Sequence, residues 1–435
     1  MKNEIAVCWL RRDLRLYDNA ALFHALNSGL PVLVLFIFDK KILDQLDNKL
    51  DKRVDFIHNE LEKINRQLIT QGSSLLVLYD EPGKAFQKLL ETYPVKKVFA
   101  NHDYEPYAIS RDATIKKLLT ENNISFQTFK DQVIFEKNDI LKQDGTPYTV
   151  FTPFSKQWKI KFEKKEMEHF PAEKFYNNFL KTKQLHFPSL EEIGLKKTGI
   201  QIPPFEFPEK LINEYDKTRN FPGIAGTSQV GIHLRFGTVS IRQLAMKATA
   251  LNETFLNELI WREFFMMILF HFPKVVDHSF KRKYDDIAWR NNEDEFNAWC
   301  RGETGYPMVD AGMRQLNETG WMHNRVRMVT ASFLTKHLLI DWRWGEAYFA
   351  EKLLDYELAS NNGNWQWAAG SGCDAAPYFR IFNPDLQIKR FDPKLDYIKK
   401  WLPGFVPCYL EPIVDHAFAR KRAIETFRNS LEEKI

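Results

Sequence analysis

Three short stretches in the second half of the chain hold most of the residues whose types and spacing could do chemistry. The first is Asn257-Glu258-Leu259-Ile260-Trp261-Arg262-Glu263-Phe264. On a helix Glu258, Trp261 and Arg262 fall on one face at i, i+3 and i+4, so an acid, a broad aromatic plate and a cation share one wall. Alone, the same pattern also describes a buried tryptophan beside a surface ion pair. In the second, Gly320-Trp321-Met322-His323-Asn324-Arg325-Val326-Arg327-Met328, the residues Asn324, Arg327 and Met328 share a face. An amide, a guanidinium and a thioether suit a planar heteroaromatic ligand with carbonyls and negative charge, whereas His323 by itself reads as structural. The third, Leu354 to Trp367, gathers two carboxylates (Asp355, Glu357), four amides and two tryptophans, which packing alone does not explain. A glycosidase-like acid pair flanked by tryptophan sugar platforms is one enzyme reading of it.

Helices must position these residues, and from about residue 205 the sequence supplies them. Strand signals nearly vanish there, and helical patterns run over Thr254–Phe270, Gly305–Thr319, Asn324–Leu339 and Trp344–Leu358. The first 130 residues have another rhythm. Apolar runs at Ile5–Leu10, Val32–Phe38, Ser74–Tyr79, Lys97–Asn101 and Ile124–Phe129 alternate with helix-like stretches at Asn19–Asn27, Val54–Thr70, Gly83–Thr92 and Ala108–Thr120. That alternation predicts a doubly wound α/β domain with a parallel sheet covered on both faces. No GxGxxG follows the first strand and no Walker loop is present; the loop reads Arg11-Arg12-Asp13-Leu14-Arg15. The predicted division is an α/β domain over 1–130, a connector over 131–204 containing the Lys- and Glu-rich Lys156–Lys174 and ending in Pro203-Pro204, and an all-α domain over 205–435.

With 435 residues the chain exceeds one ordinary core, and its 27% charged and 44% hydrophobic content excludes a disordered or membrane-spanning class. Cys8, Cys300, Cys373 and Cys408 form no CxxC pair, so neither a disulfide framework nor a metal site is expected. The N-terminal Met1-Lys2-Asn3-Glu4 lacks the regions of a signal peptide, which points to a cytoplasmic protein. A net charge of +4 fits a nucleic-acid binder without establishing one.

The motifs NELIWREF, TGYPMVDAGMRQL, GWMHNRVRM, DYELASNNGNWQWAAG and DAAPYFRIFNP resemble the photolyase and cryptochrome family, and the likeness extends from Trp9-Leu10-Arg11-Arg12-Asp13-Leu14-Arg15 to Trp401-Leu402-Pro403. Within that family the chain is most similar to class I photolyases of cyclobutane pyrimidine dimers. The resemblance implies FAD folded on itself inside the helical domain, held by Tyr215, Thr227, Ser228, Arg327, Asp355 and Asn361, with Asn361 at flavin N5. Two departures are visible. Gln229-Val230-Gly231 follows Thr227-Ser228 where related bacterial enzymes have Arg-Leu-Ser, and Glu357 stands where aspartate is common. The resemblance further implies a flipped-out dimer between Trp261 and Trp367. Glu258 would hydrogen-bond the damaged base, Asn324 and Met328 would touch the lesion, and Arg219, Arg325 and Arg380 would grip phosphates. Trp365, Trp342 and Trp289 match the chain that relays electrons to oxidised flavin. The implied reaction is light-driven transfer of one electron from reduced FAD to the dimer, ring opening and return of the electron.

Repair of (6-4) photoproducts goes with two histidines where Asn324 and Met328 stand, which argues for cyclobutane dimers. Retention of Trp261 and Trp367 argues for duplex DNA. The other reading within the family is a cryptochrome photoreceptor without repair, which usually carries a longer C-terminal tail. Asp103-Tyr104-Glu105-Pro106-Tyr107 is a candidate dock for a second, antenna chromophore, whether folate, deazaflavin or flavin. A monomer is expected.

Overall fold

The computed structural model describes residues 4–46, 48–200, 202, 204–406 and 409–432. Cys408, Pro203 and the N-terminal Met1–Asn3 lie outside the described residues. The chain clusters into two units, each assembled from three separate segments.

One unit comprises Met1–Glu136, Lys164–Glu206 and Val230–Lys247. Its centre is a five-stranded, all-parallel sheet of order β3-β2-β1-β4-β5, with β1 Ile5–Leu10, β2 Val32–Asp39, β3 Leu76–Asp80, β4 Val95–Asn101 and β5 Ser125–Phe129. Strands β1 and β2 are buried along their whole length, which is why they read as continuous apolar runs and not as alternation. Register places Trp9 beside Leu35 on one side and Ala100 on the other. The helices Ala20–Leu26, Lys52–Thr70, Pro82–Thr92 and Pro106–Glu121 connect the strands. Their starts follow local chemistry: the Asn19 and Asp51 side chains accept from Leu22 N and Arg53 N, and proline opens the other two.

The strand order reverses beside β1, so the carboxyl ends of β1 and β4 form the switch point at which α/β sheets usually bind ligands. Here the two loops are cross-linked by charge. Arg11 Nη1 meets Asp112 Oδ1 at 2.5 Å, and Arg12 Nη1 meets Asp103 Oδ1 at 3.2 Å and Glu105 Oε1 at 2.8 Å. Arg235 reaches the same Glu105 oxygen at 3.0 Å. The Asp103–Tyr107 loop is thus tied to Arg12 and Arg235; Glu105 precedes the next helix without capping it through its side chain. Deeper in the same unit, Asp131 accepts from Arg15 Nη2 at 2.6 Å, Arg242 Nη2 at 2.8 Å and Ala20 N at 3.2 Å. Asp18 receives Arg242 Nε at 3.1 Å and the hydroxyl of Ser240. These bonds fasten the Val230–Lys247 segment into the sheet unit.

The other unit comprises Lys137–Glu163, Phe207–Gln229 and Ala248–Ile435. No strand occurs after Phe129 among the described residues. Its principal helices are Phe151–Lys164, Glu253–His271, Pro307–Thr319, Asn324–Ser332, Trp342–Lys352 and Leu358–Ala369. A shared core of Trp299, Met308, Val326, Phe333, Trp342 and Trp365 joins six elements of the unit. Two predicted helices differ from those observed. The pattern over Trp344–Leu358 is two helices broken at Leu353–Glu357, because Leu353 and Leu354 keep an apolar phase while the chain turns. The pattern over Asn324–Leu339 is α-helical only to Ser332, then forms a π turn over Phe333–His337, and Leu339 has a left-handed φ of 51°. Cys8, Cys300 and Cys373 are free thiols. Among the described residues no helix is long and apolar enough to cross a membrane.

Candidate active site

The break between the helices Trp342–Lys352 and Leu358–Ala369 opens a cavity with about 620 Å³ of empty space, its mouth included. Of the residues singled out in the sequence, Asn324, Arg327, Met328, Asp355, Glu357, Asn361, Trp365 and Trp367 line it. The i, i+3, i+4 face of the Asn324–Ser332 helix supplies the first three, as its spacing predicts. Arg327 Nη2 bonds Asp355 at 2.9 and 3.1 Å, and its Nε donates to the carbonyl of Met322 at 2.7 Å. The guanidinium is therefore held from two sides, across 28 residues of sequence.

Asn361 is oriented by a residue that sequence reasoning missed. Its Nδ2 donates to Glu346 Oε1 at 2.8 Å and to the Glu346 carbonyl at 3.1 Å. Both partners are acceptors, so the amide nitrogen must face them and Oδ1 remains on a side chain that lines the cavity. Oδ1 has no protein partner among the described residues. Burial pushes the Glu346 carboxyl up from its ordinary value, and the bond from Asn361 opposes that rise. The signal for Glu346 was weak: it is one of two acids on a helix that mixes aromatic and charged residues. Glu357 is buried at 6% exposure, accepts from Ser360 Oγ at 3.0 Å and faces Arg262 Nε at 3.7 Å.

Glu258 does not line this cavity. It pairs with Arg219, Nη1 to Oε1, at 2.5 Å, and Arg219 in turn lies 5.5 Å from the Tyr215 ring centre. Burial raises the Glu258 carboxyl above its ordinary pKa, against the pull of Arg219. Arg325 Nη2 bonds Asn220 Oδ1 at 2.6 Å and its guanidinium stands 4.2 Å from the Phe391 ring centre. Burial, then Arg219, Arg390 and Arg380, hold Arg325 below its ordinary pKa. Three of these four cations were predicted from sequence; Arg390, at the end of the helix Pro384–Phe391, was not. Cations gathered around Arg325 offer a site for an anion.

Trp261 lies under Phe151, while Trp367 meets Phe382 at 6.5 Å between ring centres. Trp365 and Trp342 belong to the buried core and Trp289 packs against it. Gly345 allows the close approach of Trp365, whose Cη2 would lie 2.1 Å from an added Cβ. Thr227 and Ser228 precede Gln229, which takes a left-handed φ of 52°. Val230 and Gly231 belong to the sheet unit, where Gly231 opens the helix Gly231–Phe236.

His323 starts the Asn324–Ser332 helix. Its Nδ1 accepts from Arg325 N at 3.1 Å, so the neutral ring carries its proton on Nε2, which is buried without a partner. Burial, then Arg325, Arg327 and Arg219, lower its pKa from 6.5 to about 4. The unfolded chain takes up this proton at higher pH than the folded one, so the contribution is complete above pH 6.5 and lost as pH falls towards 4. Urea midpoints measured across that window should fall more steeply for the parent than for His323→Asn, which keeps a capping acceptor. Equal slopes would contradict this assignment.

Comparisons with known proteins give the family. A family model described as DNA photolyase matches residues 6–174, and one described as FAD binding domain of DNA photolyase matches residues 255–408. A deoxyribodipyrimidine photo-lyase of Alkalihalophilus pseudofirmus is 37% identical, covering 99% of this chain and 99% of the relative. Among solved structures, a bacterial class III photolyase from Agrobacterium tumefaciens has a TM-score of 0.86 at 31% identity, covering 99% of this chain and 98% of that one. An archaeal photolyase from Sulfolobus tokodaii, described as containing two FAD molecules with one implicated as a light-harvesting cofactor, has a TM-score of 0.82 at 33% identity and covers 98% of this chain and 100% of that one. The chain belongs to the DNA photolyase family.

Proposed function

We propose that this protein reverses cyclobutane pyrimidine dimers in DNA by light-driven electron transfer from FAD. The observation that supports this best is the composition of one helical unit. It holds a cavity walled by the Arg327–Asp355 pair, the Asn361 amide and two tryptophans, together with Arg325 and the arginines that act on it, Arg219, Arg380 and Arg390. The cavity's donor set fits a flavin: a guanidinium and carboxylate for the ring edge, and a free amide oxygen fixed by Glu346. When bound, reduced FAD supplies the electron and absorbs the light.

The chain's own residues do the rest. Arg327 and Asp355 orient the ring system, and the Asn361 oxygen offers an acceptor suited to a reduced flavin, whose N5 bears a proton. Glu258, raised by burial, hydrogen-bonds the extruded base while Arg219 keeps it in position. Trp261 and Trp367 wall the lesion, and Asn324 and Met328 line its floor without the histidines that (6-4) repair uses. Trp365, Trp342 and Trp289 serve photoreduction of oxidised cofactor. Tyr215, Thr227, Ser228 and Gln229 contribute to cofactor binding. Duplex DNA and a monomeric protein are the forms we assign, with the antenna chromophore docking at the Asp103–Tyr107 loop.

The test is repair of a defined thymine dimer in duplex DNA under blue light, with a dark control. Repair in light alone supports the reading; a flavin-bearing protein that leaves dimers intact would indicate light sensing instead. Binding should weaken with salt, and removing one of Arg219, Arg325 or Arg380 should reduce the log–log slope by about one. An unchanged slope would remove that residue from the phosphate contacts.

A further inference from the structure

The Trp261 ring is held from behind. Phe151 lies on it with ring centres 3.6 Å apart and planes 4° from parallel. Phe151 is the first residue of the helix Phe151–Lys164, in the stretch that the sequence marks as connector. Its backbone N–H donates to Asp374 Oδ2 at 3.0 Å, and Asp374 belongs to the segment leading to Arg380. Further along, the same helix is fastened to the helix that bears Trp261. Trp158 Nε1 donates to the buried Glu263 at 2.7 Å, Phe154 packs on Phe264 with ring centres 5.3 Å apart, and Lys159 meets Glu253 at 2.5 Å.

A phenyl ring flat against an indole covers one face and restrains rocking of the plane. Phe265, 5.5 Å away at 28°, and Phe264, edge-on at 5.7 Å, pack on the same indole, so Trp261 meets a base with its remaining, half-exposed surface. A flat, undamaged pyrimidine can follow an indole that tilts. A cyclobutane dimer cannot, because its ring sets two pyrimidines at a fixed angle, so a wall of fixed inclination favours the dimer. We propose that Phe151, held by Asp374, is the positioning residue that fixes the plane of Trp261 and so sets discrimination between dimers and undamaged DNA. This rests on the function proposed above. Asp374 also ties the Arg380 segment to the same brace, so phosphate gripping and the lesion wall share one anchor.

The experiment compares Phe151→Leu, which keeps apolar bulk but no ring, with Phe151→Tyr, which keeps the ring, and with Asp374→Ala, in the flavin-loaded full chain. Affinities for a thymine-dimer duplex and its undamaged counterpart are measured beside flavin content and repair per absorbed photon at saturating substrate. Phe151→Leu should lower the affinity ratio by about two- to tenfold, the range of one aromatic stack. Flavin content and repair of bound dimer should hold, and Phe151→Tyr should restore the ratio. Asp374→Ala should lie between and add nothing to Phe151→Leu. An unchanged ratio in Phe151→Leu, failure of Phe151→Tyr to restore it, or loss of flavin alongside it would overturn the proposal. A parent protein that neither discriminates nor repairs would instead overturn the function itself.

Discussion

Replacing Asp131 with alanine should cost about 3–5 kcal/mol of stability, the range seen when one partner of a buried ion pair is removed. Asp131 is 1% exposed and holds two guanidiniums, Arg15 and Arg242, themselves 4% and 5% exposed. Without it both cations would remain buried with Asp18 as their nearest carboxylate, and the Ala20 amide would lose its acceptor. Asp131→Asn keeps shape and one acceptor, so it should recover part of the loss. Burial pushes the Asp131 carboxyl up, but Arg15 and Arg242 outweigh it and hold the group below 3.8. Its contribution is therefore present above the unfolded carboxylate pKa and lost as pH falls through the folded one. Urea unfolding at neutral and acid pH tests both statements. A difference between parent and Asp131→Ala that stays below about 1 kcal/mol, or fails to shrink in acid, would show that Arg15 and Arg242 find other partners.

The second large effect is on the cofactor. Arg327→Ala should release FAD, weakening its retention by roughly tenfold to a hundredfold, the equivalent of a charge-assisted hydrogen bond. The same change leaves Asp355 without its cation at the edge of the cavity, adding repulsion towards an anionic ligand. Arg327→Lys restores charge but not the planar fork that spans Asp355 and the Met322 carbonyl, so it should recover only a minor part. Flavin absorbance after gel filtration reads the result. Full retention in Arg327→Ala would mean that the cofactor is held elsewhere in the unit.

Much of this was legible in the sequence, for identifiable reasons. Strands β1 and β2 are buried on both faces, so their apolar runs could not be mistaken, and Asn19 and Asp51 announce the helices that follow. The face shared by Asn324, Arg327 and Met328 needed only the helical period. What escaped has a common cause: contacts between segments far apart in the chain. Glu346 gains meaning only because Asn361 turns its amide towards it. Phe151 sits just ahead of the Lys- and Glu-rich patch in a stretch that looks like linker, and its ring finds Trp261 from a distant part of the chain. The bend at Leu353–Glu357 was hidden by two leucines that continue the apolar phase.

The segmented build of the sheet unit sets the order of events at the ribosome. Asp131 and its partner Arg242 are 111 residues apart, and Asp18 waits still longer for Ser240 and Arg242. All five strands, and Arg15 with them, leave the exit tunnel long before Arg242, the second guanidinium on Asp131. A nascent chain whose emerged part stops short of Ser240 thus has every strand outside the tunnel without the Ser240 and Arg242 contacts to Asp18, an incomplete intermediate of the kind that chaperones protect. Synthesis through Lys247, which also carries the first segment of the helical unit out of the tunnel, is what closes the sheet unit.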